Sequence, residues 1–176
     1  DDKEYRIDDK VLFASLGENH YNRSLIIGPH KVDIALVDFI PNPKESLISD
    51  ANGEACLKIV VGGEMGREEY ILKNQNKLSL PAIKFNFGLP EDDEDVQIYY
   101  SNDSLVFKSK HDLTALTMAT QQSDSIPSGS LSNLKLRTLY SSRSFNFVIA
   151  DFKPAALVKL ESSERKMSST SLAALE

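Results

Sequence analysis

Along most of this chain, apolar and polar residues alternate with a period of two. The runs KVLFASL (10–16), RSLIIGP (23–29), KVDIALVDFI (31–40), ESLISD (45–50), ACLKIVV (55–61) and REEYILK (67–73) are short and rich in β-branched and aromatic residues. AIKFNFG (82–88), DVQIYYS (95–101), SLVFKS (104–109), LKLRTLY (134–140) and SFNFVIA (144–150) continue the pattern. Alternation over four to eight residues puts one side of a strand in a core and the other in water, so each run predicts a β-strand. Turn formers stand between them. Asn52-Gly53 predicts a tight hairpin, because both central residues of such a turn need positive φ, and Ser101-Asn102-Asp103 marks a second reversal. Many short strands at regular spacing predict an all-β, mainly antiparallel sandwich or barrel-like single domain with at most short helices.

Three stretches depart from the pattern. HDLTALTMATQQ (111–122) places Leu113, Leu116 and Ala119 or Thr120 at helical spacing behind a cap at Asp112, so a short helix and a strand compete there. SDSIPSGSLSN (123–133) reads as a polar loop. EDDED (91–95) reads as a solvated acidic turn, since a calcium loop needs oxygen ligands at alternate positions around a glycine that does not follow here.

At 176 residues the chain is the size of one domain, with a β-rich part over 1–160 and a polar tail over 161–176. The net charge of −6 argues against a nucleic-acid partner. No apolar run approaches the ~18 residues of a membrane helix, and residues 1–16 lack the basic-then-apolar order of a signal peptide. The single cysteine, Cys56, cannot form an internal disulfide or a CxxC pair. Its setting in ACLKIVV predicts a small buried apolar residue and not a reactive thiol.

The glycine-rich stretch VVGGEMGREEYIL (60–72) invites a phosphate-loop reading. It lacks the lysine and serine or threonine of a Walker loop, it lacks GxGxxG, and the alternation after it predicts a strand where an anion would need a helix N-terminus. It reads as a glycine-rich hairpin loop. A surface contact patch of Gly63, Gly66, Arg67, Glu68 and Glu69 in this 62–69 loop is the one site the residues suggest, with the loop next to sheet edges that can take an extended peptide. Catalytic sets are thin. No GxSxG elbow is present, and the three histidines, His20, His30 and His111, stand apart in sequence. His20 and His30 could meet across a hairpin as metal or haem ligands, and His111 opens the ambiguous segment. No catalytic or metal residue is assigned, and the residues alone reach no further than a β-rich domain.

The order of several phrases reaches further. FIPNPKESLISDANGEACLKIVVGGEMGREEYILK (39–73), AIKFNFG (82–88), LVFKS (105–109), TMATQQSDSI (117–126) and LKLRTLYSSRSFNFVIADF (134–152) together resemble the ResB-like region of cytochrome c biogenesis proteins of the Bacteroidetes type. In that family the region is often joined to a CcsA-type, haem-handling membrane protein. The matching pieces extend from about residue 23 to 152, and none is a catalytic motif. Two positions depart from the family phrase: Tyr70 stands where a histidine is expected, and Cys56 stands before LKIV. The first weakens any haem-ligand role for the GREE segment. The chain ends at SLAALE (171–176) as an apolar run begins, which reads as the edge of a domain from a longer membrane protein.

The resemblance implies an extracytoplasmic domain, tied to the membrane through segments outside this chain, that takes part in attaching haem to apocytochrome c. Its partners would be a CcsA-like membrane protein or fused region and the apocytochrome. The domain itself would be scaffold and docking surface without enzyme activity, and it would hold no cofactor, haem being handled by the whole complex. The alternative is a periplasmic or surface binding module for peptide or carbohydrate. The absence of tryptophan counts against a carbohydrate platform.

Overall fold

The structure is a computed structural model that describes residues 20–63, 66–163 and 173–175. In chain order the strands are β1 (Asn22–Ile27), β2 (His30–Ala35), β3 (Phe39–Pro41), β4 (Pro43–Gly63) and β5 (Gly66–Lys73). Then come β6 (Asn76–Ser79), β7 (Lys84–Phe87), β8 (Val96–Ser101), β9 (Ser104–Ser109) and β10 (Leu113–Thr117). The last are β11 (Gln122–Ile126), β12 (Ser132–Asn133), β13 (Thr138–Ser141), β14 (Asn146–Ser162) and β15 (Ala173–Leu175). The all-β, mainly antiparallel class predicted from period two holds, and no helix occurs among the described residues. The first predicted run, 10–16, lies outside them.

Contacts group the chain into two units. Leu47–Val158 forms the larger, and the described residues up to Ser46 and from Lys159 onward form the other. The larger unit is a sandwich. One sheet has six strands in the order β11-β10-β13-β14-β4-β5 and the other has five in the order β12-β9-β8-β7-β6. Between them lie Leu57 and Ile59 of β4, Phe85 and Phe87 of β7, Ile98 of β8, Phe107 of β9, Tyr140 of β13, and Phe147 and Ile149 of β14, all buried. Aromatic edges join the sheets: Phe85 meets Phe147 with ring centres 5.2 Å apart, and Phe107 meets Tyr140 at 5.2 Å. Edge-to-face pairs of this kind add about 1 kcal/mol beyond area burial.

In the smaller unit, β1 and β2 form an antiparallel hairpin in which Leu25 faces Val32 and Ile27 faces His30. There β15 pairs with β3, Leu175 against Phe39, and the Ser162 hydroxyl donates to the Pro41 carbonyl at 2.9 Å. Residues 161–176, read as a polar tail, therefore include a paired strand.

Several local expectations change. Asn52-Gly53 is not a hairpin: β4 runs straight through it, and neither residue has positive φ. Residues 111–122 form no helix; β10 and β11 make a hairpin there, with Leu113 opposite Ile126 and Thr117 opposite Gln122. That hairpin also takes residues 123–126 out of the predicted polar loop. The Asn102-Asp103 reversal stands as expected, with φ of 51° and 57° between Ser101 and Ser104.

One pairing is parallel, β7 beside β8, with Phe85 opposite Val96. Parallel neighbours usually need a crossover of a dozen or more residues, whereas here residues 88–95 make the whole link. Buried polar side chains hold it. Asn86 donates to the Pro90 carbonyl at 3.0 Å and accepts from the Leu89 amide at 3.2 Å, and Gln97 donates to the Leu89 carbonyl at 2.9 Å. The Gly88 amide donates to the Ile98 carbonyl, and the Asp95 amide to that of Lys84.

Candidate functional site

Strands buried on one face alone should be polar on the other, yet β4, β13 and β14 are apolar at both parities. Ile59 and Val61 of β4 enter the core while Val60 does not; on β14, Phe147 and Ile149 enter it while Val148 and Ala150 do not. The leftover residues meet on the outer face of the six-stranded sheet. Leu139 lies directly across from Val148, Ser141 across from Asn146, and Gly62 stands against Asn146, where an added Cβ would lie 2.3 Å from its Oδ1. With Val60, Ala150, Thr117, Met118, Ala119 and Leu136 they line an open groove of about 890 Å³. Met118 and Leu136 are each 44% exposed, so apolar surface is open to solvent here.

Two arginines belong to the same groove. Arg67 stands on β5 opposite Gly62. Arg137 precedes β13, its amide donating to the Ile149 carbonyl at 2.9 Å, with φ at +54°. That is left-handed backbone, which a residue other than glycine holds at a cost of about 1–2 kcal/mol. Neither guanidinium has an ion-pair partner among the described residues. The two glutamates that follow Arg67 in the chain are engaged elsewhere: Lys58 holds Glu69 at 2.5 Å, and the Tyr70 hydroxyl donates to Glu68. Hydrogen bonding to that carboxylate, helped by desolvation, raises the Tyr70 phenol above its ordinary range.

The predicted contact patch is thus partly redrawn. Gly63 pairs with Gly66, so only residues 64–65 lie between the strands, and Arg67, Glu68 and Glu69 belong to β5 and not to a loop. The hairpin reading of the glycine stretch holds. Strand alternation divides the patch: Arg67 joins the groove, while Glu68 falls on the other face beside Tyr70. β5 is also the last strand of its sheet. The other groove residues were overlooked in the sequence, although apolar residues at both parities in LKIVV and FNFVIA were a visible signal.

The acidic run is a network of ion pairs. Lys108 bonds Glu91 at 2.6 Å, Lys77 bonds Asp92 at 2.6 Å and Glu94 at 2.7 Å, and Lys110 bonds Asp93 at 2.6 Å. His111 Nε2 lies 2.8 Å from Asp95 Oδ1, while Asp95 Oδ2 accepts the Lys84 amide at 2.8 Å. Bonds from Lys108 and then Tyr99 hold Glu91 below the usual glutamate range; Lys77 does the same for Asp92, and Lys110 for Asp93. Burial, followed by the hydroxyl's bond to Glu91, pushes Tyr99 up to about 12. His111 also packs edge-on against Phe145 with centroids 5.4 Å apart, so it clips the acidic link to the sandwich.

The β1–β2 register does not bring His20 and His30 together. His30 faces Ile27 at the closed end, and His20 lies beyond Asn22 at the open end, roughly 20 Å away at strand rise. Among the described residues no group of three or more His, Cys, Asp or Glu side chains is placed to hold a metal. Cys56 is fully buried as expected, and burial, with Glu54 adding and Lys73 opposing, pushes its thiol up.

No protein-family model, curated protein or solved structure matches this chain.

Proposed function

We propose that this chain is a docking domain of the extracytoplasmic machinery that attaches haem to c-type cytochromes, and that it meets its partner on the outer face of the six-stranded sheet. The groove is the observation that carries the docking part. Its floor of Val60, Leu139, Val148 and Ala150 is apolar, and among the described residues its lining includes no carboxylate, imidazole or thiol. Ser141 and Thr117 therefore have no base beside them, and the surface suits binding over catalysis. The order of phrases shared with ResB-like domains over about 23–152 supports the cytochrome part, with apocytochrome c or a CcsA-like membrane protein as the partner. Haem in this reading is handled by the complex.

The second reading, a periplasmic or surface module for another peptide, draws on the same groove. The groove favours peptide over carbohydrate, because no aromatic ring among the described residues lines it to stack on a sugar.

The test places Val60→Glu and Val148→Asp in the full-length protein and measures holocytochrome c in cells. A severalfold fall at unchanged protein level is expected. Wild-type holocytochrome from both variants would overturn the cytochrome reading.

A further inference from the structure

We infer that the groove accepts a short acidic segment of a partner protein, with aliphatic side chains on the Val60–Val148–Leu139 floor and a carboxylate at each of Arg67 and Arg137. The inference rests on the docking reading above and names the chemistry of what docks.

Three observations point to this occupant. The first is charge: in a chain of net charge −6, two guanidiniums without ion-pair partners among the described residues line the same apolar groove. The groove is thus a place where an anionic ligand meets attraction on an otherwise repelling surface. Carboxylate is the matching group, since a guanidinium presents a fork of donors to it.

The second is spacing. Arg67 lies on β5 and Arg137 at the start of β13, with β4 and β14 running between them. Strand separation and residue rise put their Cα atoms about 15–20 Å apart. A fatty acid carries one anionic end and satisfies one arginine. An extended segment of about six residues covers the distance and offers a carboxylate at either end.

The third is the backbone at Arg137. Its positive φ is a cost the fold bears to hold an arginine, not a glycine or asparagine, at the groove.

The experiment measures fluorescence anisotropy of the whole chain with a fluorescein-labelled octapeptide, four central leucines and valines flanked by two glutamates at each end. A matched peptide carries lysine in place of glutamate. The acidic probe is expected to bind at least about tenfold tighter than the lysine probe and to weaken as salt rises. Arg67→Glu and Arg137→Glu are each expected to weaken it about tenfold further. Should Arg137→Glu fail to fold, Arg137→Asn keeps a residue tolerant of left-handed backbone while removing the charge. Equal affinity for both probes, or affinity unchanged in the arginine variants, would sink the inference. So would two other results: a dansyl-labelled fatty acid that displaces the probe and needs only one arginine, or a dimer in sedimentation that the arginine variants dissociate. Failure of the cytochrome reading is separable. Probe binding that depends on both arginines, together with normal holocytochrome c in the Val60 and Val148 variants, leaves this inference standing and removes only the assignment to haem attachment.

Discussion

Gly53 of β4 and Ala156 of β14 approach so closely that a Cβ built on Gly53 would lie 2.3 Å from the Ala156 carbonyl oxygen and 2.6 Å from its amide nitrogen. The glycine is there to let two backbones meet, not to turn the chain. Gly53→Ala is therefore expected to force β4 and β14 apart and to lower stability by about 2 kcal/mol in urea unfolding. Asn52→Ala, beside it and exposed, should cost well under half of that. A turn at Asn52-Gly53 would give both variants similar, small effects.

The parallel β7–β8 link makes Asn86 a structural clamp. Asn86→Leu removes a donor and an acceptor that serve Pro90 and Leu89, in two part-buried hydrogen bonds. A hydrogen bond of this kind contributes about 1 kcal/mol. A loss of about 1–2 kcal/mol in unfolding is expected from the two together, with faster amide exchange at Leu89.

Acid should loosen the same region. Glu91, Asp92 and Asp93 have folded-state pKa values below their ordinary ones, so their ion pairs contribute fully above the ordinary range and lose their contribution as pH falls through the lowered values. The decline begins near the ordinary glutamate value of 4.5 and continues below the ordinary aspartate value of 3.8. Unfolding midpoints measured downward from neutral pH should drop more steeply in wild type than in a Glu91→Gln, Asp92→Asn, Asp93→Asn variant. Parallel curves would mean that these exposed pairs stabilise nothing, which is common for single surface pairs.

Cys56 should resist thiol reagents. Burial both covers the sulfur and holds it protonated, so labelling by an aromatic disulfide under native conditions is expected to be at least about a hundredfold slower than in denaturant. Native labelling as fast as denatured labelling would contradict the packing around β4.

The strands were legible because period two needs only local information: KFNF, VQIYY and LVFKS each announce one buried side, and β7, β8 and β9 follow them. The Asn52-Gly53 expectation failed because a local turn preference lost to pairing with β14, a partner that nothing near residue 53 announces. Segment 111–122 was ambiguous because Leu113 and Leu116 fit both periods. Asn86, polar inside an apolar run, was visible, but its role depends on a link whose path no local pattern predicts. The groove drew residues from β4, β5, β13 and β14 at once. Only Arg67 was singled out in the sequence, and the turn chemistry of the neighbouring glycines, not the groove, drew attention to it.

The closeness of Gly53 to Ala156 also bears on how the molecule comes into being. β4 receives its neighbour on the β14 side from about a hundred residues further along, a long-range closure of the kind that slows folding. A ribosome releasing the chain from its N-terminal end delivers the β4–β5 ribbon well before β14, with Leu57, Ile59 and Val61 waiting for a sheet that has not yet emerged. Through that interval the nascent ribbon offers an unpaired edge and an uncovered apolar face, so a holding chaperone has its clearest target before the last third of the polypeptide arrives.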